Sequence, residues 1–182
     1  EKKLARVIGY LKATKEKSRT VSSTAFDRVS VYIDAAFGCH MDGKSHSAAV
    51  ITLGDTPIMT ISRKQKIVTR DSTEAELVAL SDLILMGEWL HEYLRESGIK
   101  LQKPVVYQDN TSTIALVKDL SVGKMRSKHF RAGRAVVHQE LMIFKTMEIQ
   151  YINTKEMVAD LLTKPLSGDV FHQLAMKILK GI

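Results

Sequence analysis

Between residues 29 and 62 three runs of strand-forming residues follow one another, and the connections between them are too short to hold a crossover helix. This restricts the chain to folds that begin with an antiparallel sheet. The runs are Val29 to Phe37, Ala48 to Leu53 (AAVITL) and Ile58 to Ser62, with Gly54-Asp55-Thr56-Pro57 as a turn between the last two. A long amphipathic helix follows, opened by the capping-box spacing of Asp71 and Glu74 and stopped at Ser97-Gly98. Next come a short buried strand over Pro104 to Tyr107, a short helix over Thr111 to Lys118, and a basic loop over 119–127. The remaining pattern predicts a helix over 128–143, a fifth strand over Met147 to Ile152 and a helix over 155–163 that stops at Pro165. A last helix is expected after Asp169 as its cap, with Phe171, Leu174, Ile178 and Leu179 on one face. Ahead of the strands, Leu4, Val7, Ile8 and Leu11 form the apolar stripe of a basic helix, and the polar residues 15–28 read as a linker.

The 182 residues suit one domain, or one with an appendage, and 45% hydrophobic against 26% charged residues allows a real core. No run approaches eighteen uncharged apolar residues, so no membrane span is expected, and no apolar run sits behind a basic start like a secretory signal. Cys39 has no internal partner for a disulfide, which favours a thiol-reducing compartment. The net charge of +7 is uneven: residues 1–20 hold seven Lys/Arg against two Glu. Residues 120–139 carry Lys124, Arg126, Lys128, Arg131 and Arg134 before any acid. Two basic runs in a basic chain point to a polyanionic partner, nucleic acid above all.

Residues 38–45, GCHMDGKS, match the regular expression of a nucleotide-binding phosphate loop. Such a loop must open a helix, because backbone N–H groups at a helix start hold the phosphates. Here HSAAVITLGDTP follows, in which Val50, Ile51 and Thr52 favour a strand and Gly54 ends it. A nucleotide-binding protein is therefore the remote reading, and Gly38 and Gly43 are assigned to a hairpin connection.

Four carboxylates stand in unusual places. Asp34 lies inside VSVYIDAAF, Asp109 where a buried strand ends, and Asp160 among the apolar residues of MVADLL. Each alone fits a cap or a hydrogen-bonded structural acid; together they suggest a site. The long helix offers Glu74 and Glu76. At about 100° per residue, Leu80, Leu83, Gly87, Leu90 and Leu94 fall within about 40° of Glu76, while Glu74 falls at about 160°, beside Ser81, Glu88 and Glu92. Glu76 is thus placed on the packed side and Glu74 toward water. If the fourth strand crosses over right-handedly to lie parallel to the first, Asp34 and Asp109 become neighbours, Glu76 lies over them, and Asp160 closes the group. Carboxylates converging without lysine partners fit hard divalent cations, and two such ions suit phosphodiester cleavage.

At this point the chain resembles the ribonuclease H domain of copia-type LTR retrotransposon polyproteins. The resemblance rests on YIDAAFGC, SRKQKIVTRDSTEAELVAL, QDNTSTIAL, RSKHF and VADLLTKPL, in the family's order over roughly residues 30–166. ARVIGYLKAT also resembles the helix that precedes this domain in those polyproteins. Two positions depart from the family: Ala48 stands where Gly is common, and Phe130 where Ile is usual. The histidine loop of cellular ribonucleases H is missing from residues 151–156, which leaves His129 as the nearest candidate helper, although a surface or capping role fits it better.

The resemblance implies a ribonuclease H-like α/β fold, with a mixed five-stranded sheet of three antiparallel strands then two parallel, flanked by helices. It divides the chain into an N-terminal helix and linker over 1–28, from the end of an upstream reverse transcriptase or connection region, the domain over 29–166 and a C-terminal helix over 167–182. It implies cleavage of the RNA strand of RNA–DNA hybrids during reverse transcription, in a cytoplasmic particle or the nucleus. Asp34, Glu76, Asp109 and Asp160 then hold two Mg2+, with Mn2+ as a substitute. Asn110, Lys128, His129, Arg131 and Arg134 are the candidate nucleic-acid contacts, and the upstream reverse transcriptase is the expected partner. The other reading is a catalytically silent hybrid-binding module or scaffold.

Overall fold

The computed structural model describes residues 2–18, 26–121 and 127–179. Five strands form one sheet: β1 (Arg28–Ala36), β2 (His46–Leu53), β3 (Thr56–Lys64), β4 (Gln102–Gln108) and β5 (Glu148–Tyr151). Their order is β3-β2-β1-β4-β5. The two hairpins make β1, β2 and β3 antiparallel, whereas β4 and β5 arrive through helical crossovers and run parallel to their neighbours. The three antiparallel strands follow the pattern of runs, and the mixed five-stranded sheet is the one the family resemblance implies. GCHMDGKS is the β1–β2 connection, with Gly38 and Gly43 at left-handed φ of 57° and 73°, and β2 rather than a helix leaves it.

β1 is the central strand, and its period of two feeds two cores. Val29, Val31, Ile33 and Ala35 face a core shared with the long helix, while Tyr32 on the other face packs with Ala48, Val50, Met157 and Leu174. The helices are α1 (Lys2–Ala13), α2 (Ser72–Glu96), α3 (Thr111–Lys118), α4 (Lys128–His138), α5 (Asp160–Thr163) and α6 (Gly168–Ile178). Asp71 caps α2 by accepting from Glu74 N–H at 2.8 Å. Leu80, Leu83 and Leu90 are buried on the sheet as the periodicity requires. At Gly87 the helix comes so close that a Cβ would stand 2.2 Å from Val31 Cγ2, so only glycine allows this approach.

Several local expectations are corrected. The helix read over 155–163 is broken into a 3-10 turn, Thr154–Glu156, and α5. Met157, Val158 and Ala159 between them are buried under the sheet, which outweighs their helical spacing. The helix read over 128–143, by contrast, is present in full, as α4 to His138 and a π-helical turn over Gln139–Ile143. α6 begins at Gly168, with left-handed φ of 64°, so Ser167 takes the cap position and Asp169 lies in the first turn. α1 has no buried residue; Tyr10 meets Phe171 of α6 edge-on at 6.0 Å. Of the linker read over 15–28 and the basic loop over 119–127, residues 19–25 and 122–126 lie outside the described residues.

Candidate active site

The site begins with register. β1 and β4 are parallel, with Tyr32 opposite Tyr107, and their rings stack at 4.8 Å. Two residues further on, on the same face, each strand presents an acid: Asp34 on β1 and Asp109 just past the end of β4. Asp160 opens α5, which packs against β1 and β2 from that face. One carboxylate oxygen from each of Asp34, Asp109 and Asp160 lies within 4.8 Å of the other two. Asp34 and Asp160 are buried and Asp109 is half-buried.

Glu76 approaches from the first turns of α2 and is 4% exposed. It accepts from Gln108 Nε2 at 3.3 Å, and Gln108 Oε1 in turn accepts from Asn110 N–H at 2.9 Å. Burial first, then Asp34 and Asp109, push the Glu76 carboxyl well above the usual carboxylate range. Burial, opposed by Lys164 and assisted by Asp34, pushes Asp160 up to about 6. Burial and neighbouring acids thus favour the protonated forms of Glu76 and Asp160, which a bound cation would oppose. The pocket's donors are oxygens, which is what Mg2+ and Mn2+ prefer, so the residues fit a hard divalent ion.

The choice between the two glutamates follows the helical face, but Glu74 is also buried rather than turned to water. It accepts from Arg70 N–H at 2.9 Å, and its other oxygen lies 3.5 Å from Arg70 Nε. The Glu74 side chain thus turns back to the residue just ahead of the Asp71 cap, a local capping contact that face periodicity does not register.

Sequence reasoning missed three residues in the pocket. Lys164 Nζ stands 2.6 Å from Asp160 Oδ1 and 3.6 Å from Asp34 Oδ1, so the expected absence of a lysine partner is corrected. Its i,i+4 spacing from Asp160 was the available signal. Thr163 Oγ1 donates to Asp34 Oδ2, and Thr154 Oγ1 donates to Asp109 Oδ2 at 2.8 Å across 45 residues of chain, with no local signal.

The candidate nucleic-acid contacts divide. Lys128, His129 and Arg131 are exposed on α4. His129 meets Phe130 edge-on at 6.0 Å and lines a shallow cavity with Leu77 and Ser81. Asn110 is the cap of α3, accepting from Thr113 N–H at 3.0 Å. Arg134 is 5% exposed and donates to the carbonyls of Leu116 and Asp119, which ties α4 to the end of α3. Its buried guanidinium is a structural tie, and the phosphate contact expected of it is not what the geometry favours. Lys124 and Arg126 lie outside the described residues.

No protein-family model matches the chain. Among curated proteins it is similar to the Retrovirus-related Pol polyprotein from transposon RE1 of Arabidopsis thaliana, 31% identical over 177 residues, covering 96% of this chain and 12% of that protein. The corresponding polyprotein from transposon TNT 1-94 of Nicotiana tabacum is 31% identical over 142 residues, covering 78% of this chain and 10% of its own length. The chain thus spans about an eighth or less of the relatives it matches. Among solved structures, LC11-RNase H1, isolated from compost by a metagenomic approach, aligns with a TM-score of 0.56 at 16% identity, over 75% of this chain and 92% of that one. The PFV RNase H domain aligns with a TM-score of 0.51 at 12% identity, over 82% and 88%.

Proposed function

Because the chain belongs with the Pol polyproteins of LTR retrotransposons and carries the ribonuclease H fold, we propose that it hydrolyses the RNA strand of RNA–DNA hybrids during reverse transcription. The observation that carries this reading is the meeting of Asp34, Asp109 and Asp160 within 4.8 Å, beside a buried Glu76. Asp34, Glu76, Asp109 and Asp160 would hold two Mg2+, for which Mn2+ substitutes. Such ions supply, when bound, a water acidified enough to attack phosphorus and positive charge for the departing oxygen.

The chain's own residues set the rest. Thr163 and Thr154 each occupy one oxygen of Asp34 and Asp109, which orients the other oxygens into the pocket. Gln108 orients Glu76 in the same way. Lys164 neutralises Asp160 and Asp34 when no other cation does. Lys128 and Arg131, exposed on α4, are suited to phosphates of the hybrid, and the 2′-hydroxyl distinguishes the strand to be cut. An upstream reverse transcriptase in the same polyprotein is the partner that delivers the hybrid.

The test is cleavage of a labelled RNA–DNA hybrid with Mg2+ or EDTA, with single-stranded RNA and duplex DNA as controls. Divalent-dependent cleavage of the hybrid alone is expected, and Asp109→Asn abolishes it. The amide oxygen of that variant still accepts from Thr154, so its fold is retained. Hybrid binding without cleavage by the unmodified chain overturns the enzymatic reading in favour of a silent binding module.

A further inference from the structure

The β1–β2 hairpin carries two histidines that the acid cluster does not use. His40 Nε2 lies 3.1 Å from His46 Nδ1, and the rings are tilted by 43° with centroids 5.3 Å apart. They are neither stacked nor edge-on, so one nitrogen of each ring faces the other. The remaining nitrogen of His46, Nε2, is 2.8 Å from Ser62 Oγ, and Ser62 Oγ is 2.9 Å from the carbonyl of Leu162. A carbonyl only accepts, so the single hydroxyl proton of Ser62 goes to Leu162. Ser62 Oγ must then accept from His46, which places the His46 proton on Nε2 and leaves a lone pair on Nδ1.

The hairpin holds this geometry without help from the imidazoles. His40 N–H donates to the Lys44 carbonyl at 3.1 Å and Gly43 N–H to the His40 carbonyl at 2.8 Å. Gly38 N–H donates to Ser45 Oγ at 3.0 Å, and that buried hydroxyl pairs with Thr69 Oγ1 at 2.7 Å. Both histidines are half-buried.

We propose that His40 Nε2 and His46 Nδ1 form a second cation site, for a borderline transition ion of the Zn2+ class and distinct in chemistry from the carboxylate pocket. Two nitrogens bound tetrahedrally at about 2.0–2.1 Å from zinc stand about 3.3 Å apart. The observed separation of 3.1 Å is close to this, and binding turns both rings so that their lone pairs aim at the ion instead of along the line between the nitrogens. Nitrogen donors select such an ion over Mg2+. The ligating His46 already makes the hydrogen bond from its other nitrogen that metal-bound histidines require, here to Ser62. On binding, His40 moves its ring proton from Nε2 to Nδ1, so no net proton is released.

Asp42 lies in the same hairpin, but its carboxylate is taken by Lys64 at 2.7 Å and Lys44 at 3.7 Å. Among the described residues no third His, Cys, Asp or Glu atom completes a three-ligand group with the pair. The other coordination positions therefore face solvent and take water or a small anion. Through Ser62 and Leu162 the ion braces α5, which carries Asp160 and Thr163.

The experiment is calorimetric titration of the full chain with Zn2+ in excess Mg2+, which occupies the carboxylates with the harder ion. One zinc per chain is expected, in the unmodified protein and equally in Asp109→Asn. His40→Gln should lose at least tenfold in zinc affinity, and Ser62→Ala about 10–100-fold. His40 makes its hairpin bonds through its backbone, so His40→Gln keeps the fold, checked by circular dichroism. Absence of stoichiometric zinc binding in the unmodified chain, or unchanged affinity in His40→Gln, overturns the site. Neither readout involves hybrid cleavage, so the nuclease reading stands or falls separately.

Discussion

Lys164 Nζ lies between Asp160 Oδ1, at 2.6 Å, and Asp34 Oδ1, at 3.6 Å, so the chain inserts a cation of its own into the carboxylate cluster. Lys164→Met keeps the aliphatic reach and removes the charge. Breaking a fully buried ion pair costs about 3–5 kcal/mol. The Lys164 side chain is 36% exposed, so we expect a smaller loss of about 1–2 kcal/mol in EDTA. Saturating Mg2+ should close most of the gap. Thermal unfolding with and without Mg2+ checks this, and an EDTA midpoint equal to that of the unmodified chain would show that Lys164 is a bystander.

Glu76 and Glu74 should separate cleanly. Glu76→Gln removes a carboxylate from the pocket and is expected to lower hybrid cleavage by orders of magnitude without lowering the metal-free melting temperature, because burial and the neighbouring acids already disfavour its charge. Glu74→Gln should keep activity and lose about 0.5–1.5 kcal/mol, since it weakens the bond and ion pair with Arg70 at the start of α2. Equal losses of cleavage in the two variants would place the wrong glutamate in the site.

Metal-free stability should depend on pH through the same acids. Asp160 is raised to about 6 in the fold, against about 3.9 for a free side chain. A carboxyl that binds its proton more tightly when folded stabilises the fold below its unfolded pKa, and this contribution is lost as pH rises through the folded value. In EDTA, the stability of the unmodified chain minus that of Asp160→Asn should therefore fall between about pH 4 and 6. Glu76, raised by burial and then by Asp34 and Asp109, shifts stability with pH in the same direction. Mg2+ should flatten the difference, and a difference that rises over this interval contradicts the assignment.

Gly87→Ala tests the seat of α2. Alanine gains about 1 kcal/mol over glycine in helix propensity, but its Cβ would stand 2.2 Å from Val31 Cγ2 and 3.2 Å from Met147 Cε. Overpacking of this kind costs about 1–3 kcal/mol. A net loss of about 1 kcal/mol in denaturant unfolding is expected, and a gain would mean that the helix shifts freely on the sheet.

These residues also show what a sequence displays and what it hides. Asp34 and Asp109 become neighbours because two hairpins and a right-handed crossover leave little choice of strand order. Glu76 is legible because an apolar stripe along 25 residues of α2 defines a face. Both signals are periodic and local. Arg134, by contrast, looks like a phosphate ligand in a basic run, and its burial against the carbonyls of Leu116 and Asp119 arises from contacts 15 and 18 residues away. Glu74 is drawn back by a capping contact to Arg70 that its place on the helical face does not reveal, and the helix expected over 155–163 breaks because burial of Met157 to Ala159 is worth more than a continuous backbone ladder. For Arg134 and for residues 157–159 a tertiary contact outweighed a correct local preference.

The bond from Thr163 to Asp34 joins residues 129 apart, and this separation has a consequence for synthesis. A growing chain presents Asp34, Glu76 and Asp109 first, and nearly the whole sheet can pair before Asp160, Thr163 and Lys164 leave the ribosome. Until they do, the pocket lacks one wall, one carboxylate and its internal cation. Competence to hold ions is thus acquired late, with only α6 and its buried Leu174 still to be added, and translation itself keeps the pocket unfinished until the segment that closes it has been made.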